Sequence, residues 1–204
     1  MITIVDYGLG NIQAFLNVYK RLNIAAVTAK TADELRGATK VVLPGVGAFD
    51  PAMRSLQDSG MRATLDELAL ERDVPVLGVC VGMQMLGESS EEGELPGLGW
   101  IAGRARGFQA LQYGGSLPLP HMGWNDVRPD SHNPLFDKLD ANSRFYFLHS
   151  FYFQCDFEKD VAAVSTYGKD FSCAVRSENI YGVQFHPEKS HHFGTRLLQN
   201  FAEI

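Results

Sequence analysis

Two short segments of this 204-residue chain carry residue types that could do chemistry together. The first is Gly78-Val79-Cys80-Val81-Gly82, which has the form of a nucleophile elbow, Gly-x-nucleophile-x-Gly, with cysteine in the place of serine. A nucleophile on a sharp strand-to-helix turn is forced out above its sheet, the flanking glycines relieve crowding there, and the N-terminus of the following helix favours the thiolate. The second segment is Gln184-Phe185-His186-Pro187-Glu188-Lys189. Pro187 biases His186 towards an extended conformation, which helps to place residues 186 and 188 on one side. Glu188 can then orient the imidazole and steady its cationic form, while His186 takes the proton of Cys80 and later hands one to a leaving amine. Each segment alone has a bland reading: a small core cysteine after an apolar strand, and a strand-end histidine beside a surface glutamate. Together they describe a Cys-His-Glu triad for attack on an amide carbonyl.

A triad drawn from positions a hundred residues apart needs a scaffold that brings strand ends together. The first half of the chain alternates short β-rich runs with helical patterns. Residues 2–6 read as a strand, and Ile12, Phe15, Leu16, Tyr19 and Leu22 make a helical stripe. Residues 25–29 and 40–43 read as further strands, Asp50-Pro51 as an N-cap and first helical position, and 61–72 as a helix. Residues 75–79 then form an apolar strand that ends at Cys80. This alternation predicts an α/β protein whose parallel sheet is covered on both faces, with its ligand site beyond the carboxyl ends of the strands. From 93 to 120 the pattern changes to Gly- and Pro-punctuated short segments, and 145–148, 161–167, 173–176 and 180–185 read as strands that extend the sheet in antiparallel fashion. Residues 193–201 look helical. No linker-like segment intervenes, so one domain over 1–204 is expected.

Hydrophobic residues at 45% and charged residues at 21% sit near globular averages, and the length suffices to bury a core. A formal net charge of −6 argues against a nucleic-acid surface and for small metabolites or a protein partner. The opening residues are strand-like at once, without the regions of a signal peptide, and no apolar run approaches membrane-spanning length. A cytoplasmic location without membrane contact is expected. Cys80, Cys155 and Cys173 are odd in number and widely spaced, which suggests neither a disulfide framework nor a zinc motif. His191 and His192 are adjacent but have no third ligand, so no metal and no cofactor is expected and neither histidine is given a role.

The elbow continued by Met83 and Gln84, the run from Gln184 to Ser190, and Pro44-Gly45-Val46-Gly47 together resemble the class I glutamine amidotransferases. The likeness extends from Val5-Asp6-Tyr7-Gly8 and Gly10-Asn11, through Gly123-Trp124-Asn125 and Phe145-Tyr146-Phe147, to the C-terminal helix. It implies the three-layer, flavodoxin-like fold of that family and hydrolysis of L-glutamine to glutamate and ammonia by Cys80, His186 and Glu188. By the same resemblance, Gly45, Val46 and Gly47 would form an oxyanion loop whose backbone N–H groups act with that of Val81 on the tetrahedral intermediate. Gln84 and Glu92 match glutamine-binding positions, and Ser150 and Phe151 match a segment whose backbone does likewise. Trp124, Tyr146 and Lys189 match positions at the interface with a synthase partner or at its ammonia gate. Without the resemblance, the loop reads as a glycine turn, Gln84 as a polar helix residue, Glu92 as half of a solvated pair with Glu91, and Lys189 as a surface cation. His149, beside the aromatic run 145–147, reads as a satisfied, semi-buried histidine outside the triad.

Nothing in the chain resembles an ammonia-accepting site, so the resemblance implies a separate synthase subunit in a heterodimer. The branch serving a cyclase of histidine biosynthesis is the nearest in sequence. A paralogous branch, which feeds an enzyme amidating surface sugars, shares features at Gly97-Leu98-Gly99-Trp100, His121-Met122-Gly123-Trp124 and residues 189–194. A cysteine peptidase or general amidohydrolase with the same triad is a reading of another class. The 44–47 loop, Gln84 and the aromatic segment favour free glutamine over a peptide. The acceptor does not touch the triad, so these residues leave the pathway open.

Overall fold

The computed structural model describes residues 1–110, 118–130, 133–140 and 142–204. The first half runs β1 (Ile2–Val5), α1 (Ile12–Arg21), β2 (Ala26–Ala29), α2 (Ala32–Leu35), β3 (Val41–Gly45), α3 (Phe49–Asp58), α4 (Arg62–Asp66), β4 (Val76–Cys80) and α5 (Val81–Met85). The second runs β5 (Ser89–Ser90), β6 (Gly103–Gly107), β7 (His121–Asp126), β8 (Arg128–Pro129), β9 (Arg144–His149), β10 (Phe151–Cys155), β11 (Val161–Tyr167), β12 (Lys169–Ser177), β13 (Ile180–Val183) and α6 (His191–Glu203).

One mixed sheet carries the order β2-β1-β3-β4-β13-β12-β10-β6-β5, with β11 and β8 branching from β12. Its first five strands are parallel, and β13-β12-β10-β6 continue antiparallel. The expected parallel sheet with an antiparallel extension is what forms. The chain steps one way from β1 to β2 and the other way from β2 through β3 to β4, so right-handed crossovers set α1 on one face and α2, α3 and α4 on the other. In keeping with this, α1 packs on α6 and α3 on α5. Strands covered on both faces have no solvent side to keep polar, and β1, β3 and β4 are buried at every position. A separate antiparallel ribbon, β7 with β9, stands beside this sheet in the register Gly123 to Phe147 and Trp124 to Tyr146.

Several boundaries differ from the sequence reading for identifiable reasons. Helix α3 begins at Phe49 with Ala48 in the capping position, so Asp50 lies inside the first turn. The signal Asp50-Pro51 is misleading because capping comes from elsewhere in the chain: Glu92 Oε2 accepts from Phe49 N at 2.9 Å. Asp50 instead accepts from Glu94 N and Leu95 N, each at 3.1 Å. The helix expected over 61–72 is α4 continued by a π-helical turn, Glu67–Glu71, closed by Arg72 N to Glu67 O at 3.1 Å. Strands β6 and β7 lack an apolar inward set, since β6 alternates arginine with small residues and β7 turns His121 and Asn125 inward, and β10 does not alternate at all. Residues 111–117 of the Gly- and Pro-punctuated stretch lie outside the described residues. No helix among the described residues is long and apolar enough to cross a membrane.

The junction of β3, β4 and α5 is a backbone-to-backbone contact. A Cβ on Gly82 would run into the Leu43 carbonyl oxygen, and one on Gly78 would lie 2.6 Å from Gly82 O. Both neighbours are main chain and cannot swing aside. Gly82→Ala is therefore expected to lower unfolding free energy by about 1–3 kcal/mol, read from the urea midpoint at unchanged m. A loss under about 0.5 kcal/mol, the ordinary scatter of surface changes, would mean that the junction yields.

Candidate active site

Three neighbouring parallel strands deliver three segments to one edge of the sheet. In the β3–β4 register Gly45 lies beside Cys80, and in the β13–β4 register Val183 lies beside Val79. The chain therefore leaves β13 next to Cys80, and Gln184 to Glu188 follow immediately. This is the carboxyl edge at which open α/β sheets bind ligands. Cys80 has φ 56° and ψ −113°, a conformation that non-glycine residues rarely adopt and that costs on the order of 1–3 kcal/mol. The strain turns the chain abruptly from β4 into α5, as an elbow requires.

His186 Nδ1 lies 2.9 Å from Glu188 Oε1, and the two side chains are almost fully buried. Cys80 is the other group that bears on the imidazole, and its Sγ lies 3.9 Å from Leu148 O. The turn carrying His186 is clipped to β9: His186 N donates to Tyr146 O at 2.9 Å, Tyr146 N donates to Ser190 Oγ at 2.9 Å, and Ser190 Oγ donates to His186 O at 2.6 Å. Glu188 Oε2 is buried with no hydrogen-bond partner among the described residues, so the carboxylate depends on His186 for its compensation. Burial works to lower the His186 pKa, but hydrogen bonding and charge attraction to Cys80 and Glu188 outweigh it and push it up to about 10. These neighbours therefore favour the imidazolium form of His186.

Cys80 opens on a cavity of about 310 Å³ whose wall includes Val46, Gly47, Val81, Gln84, Glu92, Leu148, His149, Ser150, Phe151, His186 and Lys189. Most residues singled out from the sequence are thus brought together. Gly45 is the exception within the loop: it lies inside β3, beside Cys80 and packed on Gly82, and is not part of the cavity wall. Gln84 Nε2 donates to Phe151 O at 3.3 Å and to Gln184 Oε1 at 3.1 Å. With both N–H groups engaged, its Oε1 is left as an acceptor. Glu92 combines its contact with Phe49 N with a place in the wall. Beside the cavity Lys189 Nζ lies 5.8 Å from the centre of the Tyr146 ring, and Trp124 meets Tyr146 edge-on at 6.2 Å.

Several contributing residues carried no role in the sequence reading. Ser190 stands in the recognised run from Gln184 to Ser190, but the double clip it makes depends on where β9 lies. Tyr7 Oη donates to Pro44 O at 2.7 Å and so holds the start of the 44–47 loop. Gln184 Nε2 lies 3.8 Å from Cys80 Sγ. His191 stacks flat on Trp124, with ring centres 5.2 Å apart. His149 is buried and hydrogen-bonded to Phe151 O at 2.7 Å, in line with its reading as a satisfied histidine, and its partner His121, noted in the sequence only as part of the run 121–124, was given no role of its own.

A cysteine elbow backed by a buried His-Glu pair, at the carboxyl edge of this sheet, defines an amidotransferase-type glutaminase, and the chain belongs to the family Glutamine amidotransferase class-I, whose model matches residues 3–204. Among its relatives are proteins named imidazole glycerol phosphate synthase subunit HisH: that of Bdellovibrio bacteriovorus is 61% identical and that of Leptospira borgpetersenii 52% identical, each over 100% of both chains. The fold is similar to a solved glutamine amidotransferase, with a TM-score of 0.76 at 19% identity, covering 99% of this chain and 97% of that one. A similarity at that identity bears on the fold alone.

The electrostatics set a titration and a labelling pattern. The His186 ring should stay protonated through neutral pH and lose its proton near pH 10 in nitrogen-detected NMR, and Cys80→Ser should bring that midpoint down. Because this pKa lies above the unfolded value of about 6.5, the pairing stabilises the fold fully below that pH and is lost as pH rises through the folded value. A wild-type midpoint near the unfolded value would remove the ion pair. A glutamine-like electrophile should modify Cys80 and leave the other two cysteines: burial, with Asp160 and Asp156 nearby, pushes the Cys155 thiol up to about 12, and burial raises Cys173 further. Labelling at Cys155 or Cys173 in preference to Cys80 would overturn the assignment.

Proposed function

We propose that this chain is the glutaminase subunit of an imidazole glycerol phosphate synthase, hydrolysing glutamine and passing ammonia to a separate cyclase subunit of histidine biosynthesis. The observation that carries the chemistry is the buried Cys80-His186-Glu188 arrangement opening on a cavity that suits one small amino acid. The whole-length likeness to HisH subunits carries the pathway.

In this reading glutamine enters with its ammonium group towards Glu92 and Gln84 Oε1, two acceptors in the wall, and its side-chain amide towards Cys80. The thiolate attacks the amide carbonyl. Backbone N–H groups of Val46, Gly47 and Val81 face the oxygen that gains charge. Collapse of the tetrahedral intermediate expels ammonia, to which His186 supplies a proton, and leaves a γ-glutamyl thioester on Cys80. His186, now neutral, takes a proton from water as water attacks the thioester, and release of glutamate restores the thiolate-imidazolium pair. Glu188 holds the ring and stabilises its charge throughout. Neither metal nor cofactor has a step in this sequence.

The exposed apolar side chains around the cavity suit a partner surface. Met122, Trp124 and Leu148 on the β7–β9 ribbon are 65%, 40% and 37% exposed, with Val46 of the loop at 38% beside the cavity. Trp124, Tyr146 and Lys189 form one cluster there, at the place where docking would bear on the triad. Apolar side chains gathered at one rim are the usual mark of an association site. A partner seated on this rim also closes the route by which ammonia would escape to solvent.

Glutamine hydrolysis is expected to be slow for the chain alone and to rise by about a hundredfold when the cyclase is docked and occupied by its own substrate. Loss of one aligned oxyanion donor has an effect of that size, and the 44–47 loop is the element whose donors docking would align. Rates should be compared for the chain alone, with cyclase, and with cyclase plus acceptor substrate; equal rates in all three would remove the coupling and leave the glutaminase chemistry standing. In the complex His186→Ala should lose more activity than Glu188→Gln, because the carboxylate acts through the imidazole. Complementation separates the pathways: rescue of a strain deficient in surface-sugar amidation, without rescue of one lacking the histidine-pathway glutaminase, would reassign the acceptor.

A further inference from the structure

A line of polar groups, buried from His121 inward, joins the β7–β9 ribbon to the cavity, and its two ends fix every hydrogen along it. At the outer end Asn125 Nδ2 donates to Thr166 O at 2.8 Å while Asn125 Oδ1 accepts from Asp126 N at 2.8 Å, which orients the amide. The same NH2 group lies 3.2 Å from His121 Nε2, which must therefore accept. His121 Nδ1 lies 2.9 Å from His149 Nε2. At the inner end His149 Nδ1 is 2.7 Å from Phe151 O. A carbonyl only accepts, so His149 carries its hydrogen on Nδ1, and its Nε2 accepts from His121 Nδ1–H. All donors and acceptors match with both rings neutral, and a further proton on either ring would set donor against donor. Burial favours the same state, holding His121 at about 4 and His149 at about 3.

The line continues into the site. Phe151 O takes its second hydrogen bond from Gln84 Nε2, whose other N–H goes to Gln184 Oε1, and Gln184 Nε2 reaches Cys80 Sγ. We propose that His121 and Asn125 are positioning residues for glutamine: acting through His149, they fix the Phe151 carbonyl, and with it the Gln84 amide, in the wall of the Cys80 cavity. The proposal deepens the glutaminase reading and rests on it.

Neither His121 nor Asn125 reaches the cavity wall, so their effect must pass through His149. With the His121 N–H removed, His149 Nε2 becomes a buried acceptor without a donor, and the ring gains by turning or by exchanging its tautomer. Either change withdraws the hydrogen bond from Phe151 O and loosens Gln84, the group that presents Oε1 to the substrate. The competing account is that His121 is only a flat spacer, since it stacks between Phe147 at 4.8 Å and Tyr167 at 4.2 Å. Stacking requires a planar ring but not the ordered line of protons.

Two substitutions separate the accounts in the complex with the cyclase. His121→Phe keeps the ring stack and deletes Nδ1–H; the KM for glutamine should rise about tenfold, the size expected for one unsatisfied buried acceptor, with kcat changed far less. His121→Asn forfeits the stack but places an amide N–H where Nδ1 stood, and should restore much of the lost affinity. The reverse order, with Phe like wild type and Asn impaired, would overturn the proposal in favour of packing. Should both variants fail to fold, Asn125→Ala, at a partly exposed position, should raise KM severalfold, and an unchanged KM would overturn it equally. Nitrogen NMR of the wild-type complex should find His149 with its hydrogen on Nδ1, and an Nε2–H tautomer would contradict the proton order. Wild type that turns over no glutamine, like the Cys80→Ser control, would sink the glutaminase reading itself, while the NMR result would still decide the proton order.

Discussion

The parallel pairing of β13 with β4 is the contact on which the site depends. Residues 80 and 186 are more than a hundred positions apart, yet the register that sets Val183 beside Val79 brings them out at one end of adjacent strands. A slip of one residue would turn every side chain of β13 to the opposite face and carry His186 away from the thiol. The register is secured from both directions. Position 183 is fully buried between two helical layers, and the His186 turn is tied to β9 by the bonds through Ser190. The strained dihedrals of Cys80 are tolerated for the same reason: the strand before it is buried throughout, and Gly82 after it is pressed against the Leu43 carbonyl. The chain has no room to relax.

Charge and polarity are divided between two networks that meet at Cys80. On one side His186 and Glu188 form an ionic pair, in which a buried carboxylate with one unpartnered oxygen favours the imidazolium. On the other side Gln184, Gln84, His149 and His121 are neutral amides and imidazoles joined donor to acceptor, with Gln84 Oε1 left as an acceptor. The division has a physical logic. A second cation near His186 would disfavour the imidazolium form, and His149 is close enough that the two rings repel when both are charged. Holding His149 neutral, by burial and by a hydrogen bond from another neutral ring, keeps the proton of the site on His186.

Much of this was legible in the sequence because it is local. The elbow is five consecutive residues, the His-Pro-Glu run is three, and the parallel strands announce themselves as unbroken apolar runs. What could not be read depends on which distant segments meet. Asp50 looked like an N-cap because the sequence does not show that Glu92 caps Phe49 N from another loop. The π-helical turn after Asp66 has no local signal distinct from an ordinary helix. Strand β7 was missed because its inward positions, His121, Gly123 and Asn125, are polar or small while Met122 and Trp124 face outward, so its alternation is the reverse of the one that marks a half-buried strand. Those same polar positions build the relay. The element that defied the pattern is thus the one whose buried side chains are hydrogen-bonded into the site.

The place of β7 in the structure gives that departure a further meaning. Among the described residues the ribbon shares a strand ladder with neither edge of the large sheet; it is tied to the rest of the chain by Asn125 and Ser165, which reach across to β11 and back, by Ser190 and the His186 backbone N–H on β9, and by the fully buried Phe145 and Phe147. One of its faces carries exposed Met122, Trp124 and Leu148; the other carries the buried Phe145 and Phe147 together with the polar line to Phe151 and Gln84. A load on the outer face therefore has two short routes to Cys80, one through Tyr146 and Ser190 to His186, the other through His121 and His149 to the substrate wall. A strand locked into the central sheet would resist such a load with a full ladder of hydrogen bonds. The ribbon, outside that ladder, itself contributes Leu148 and His149 to the cavity wall, so a partner seated on its exposed side chains, as in the proposed function, would bear directly on the site.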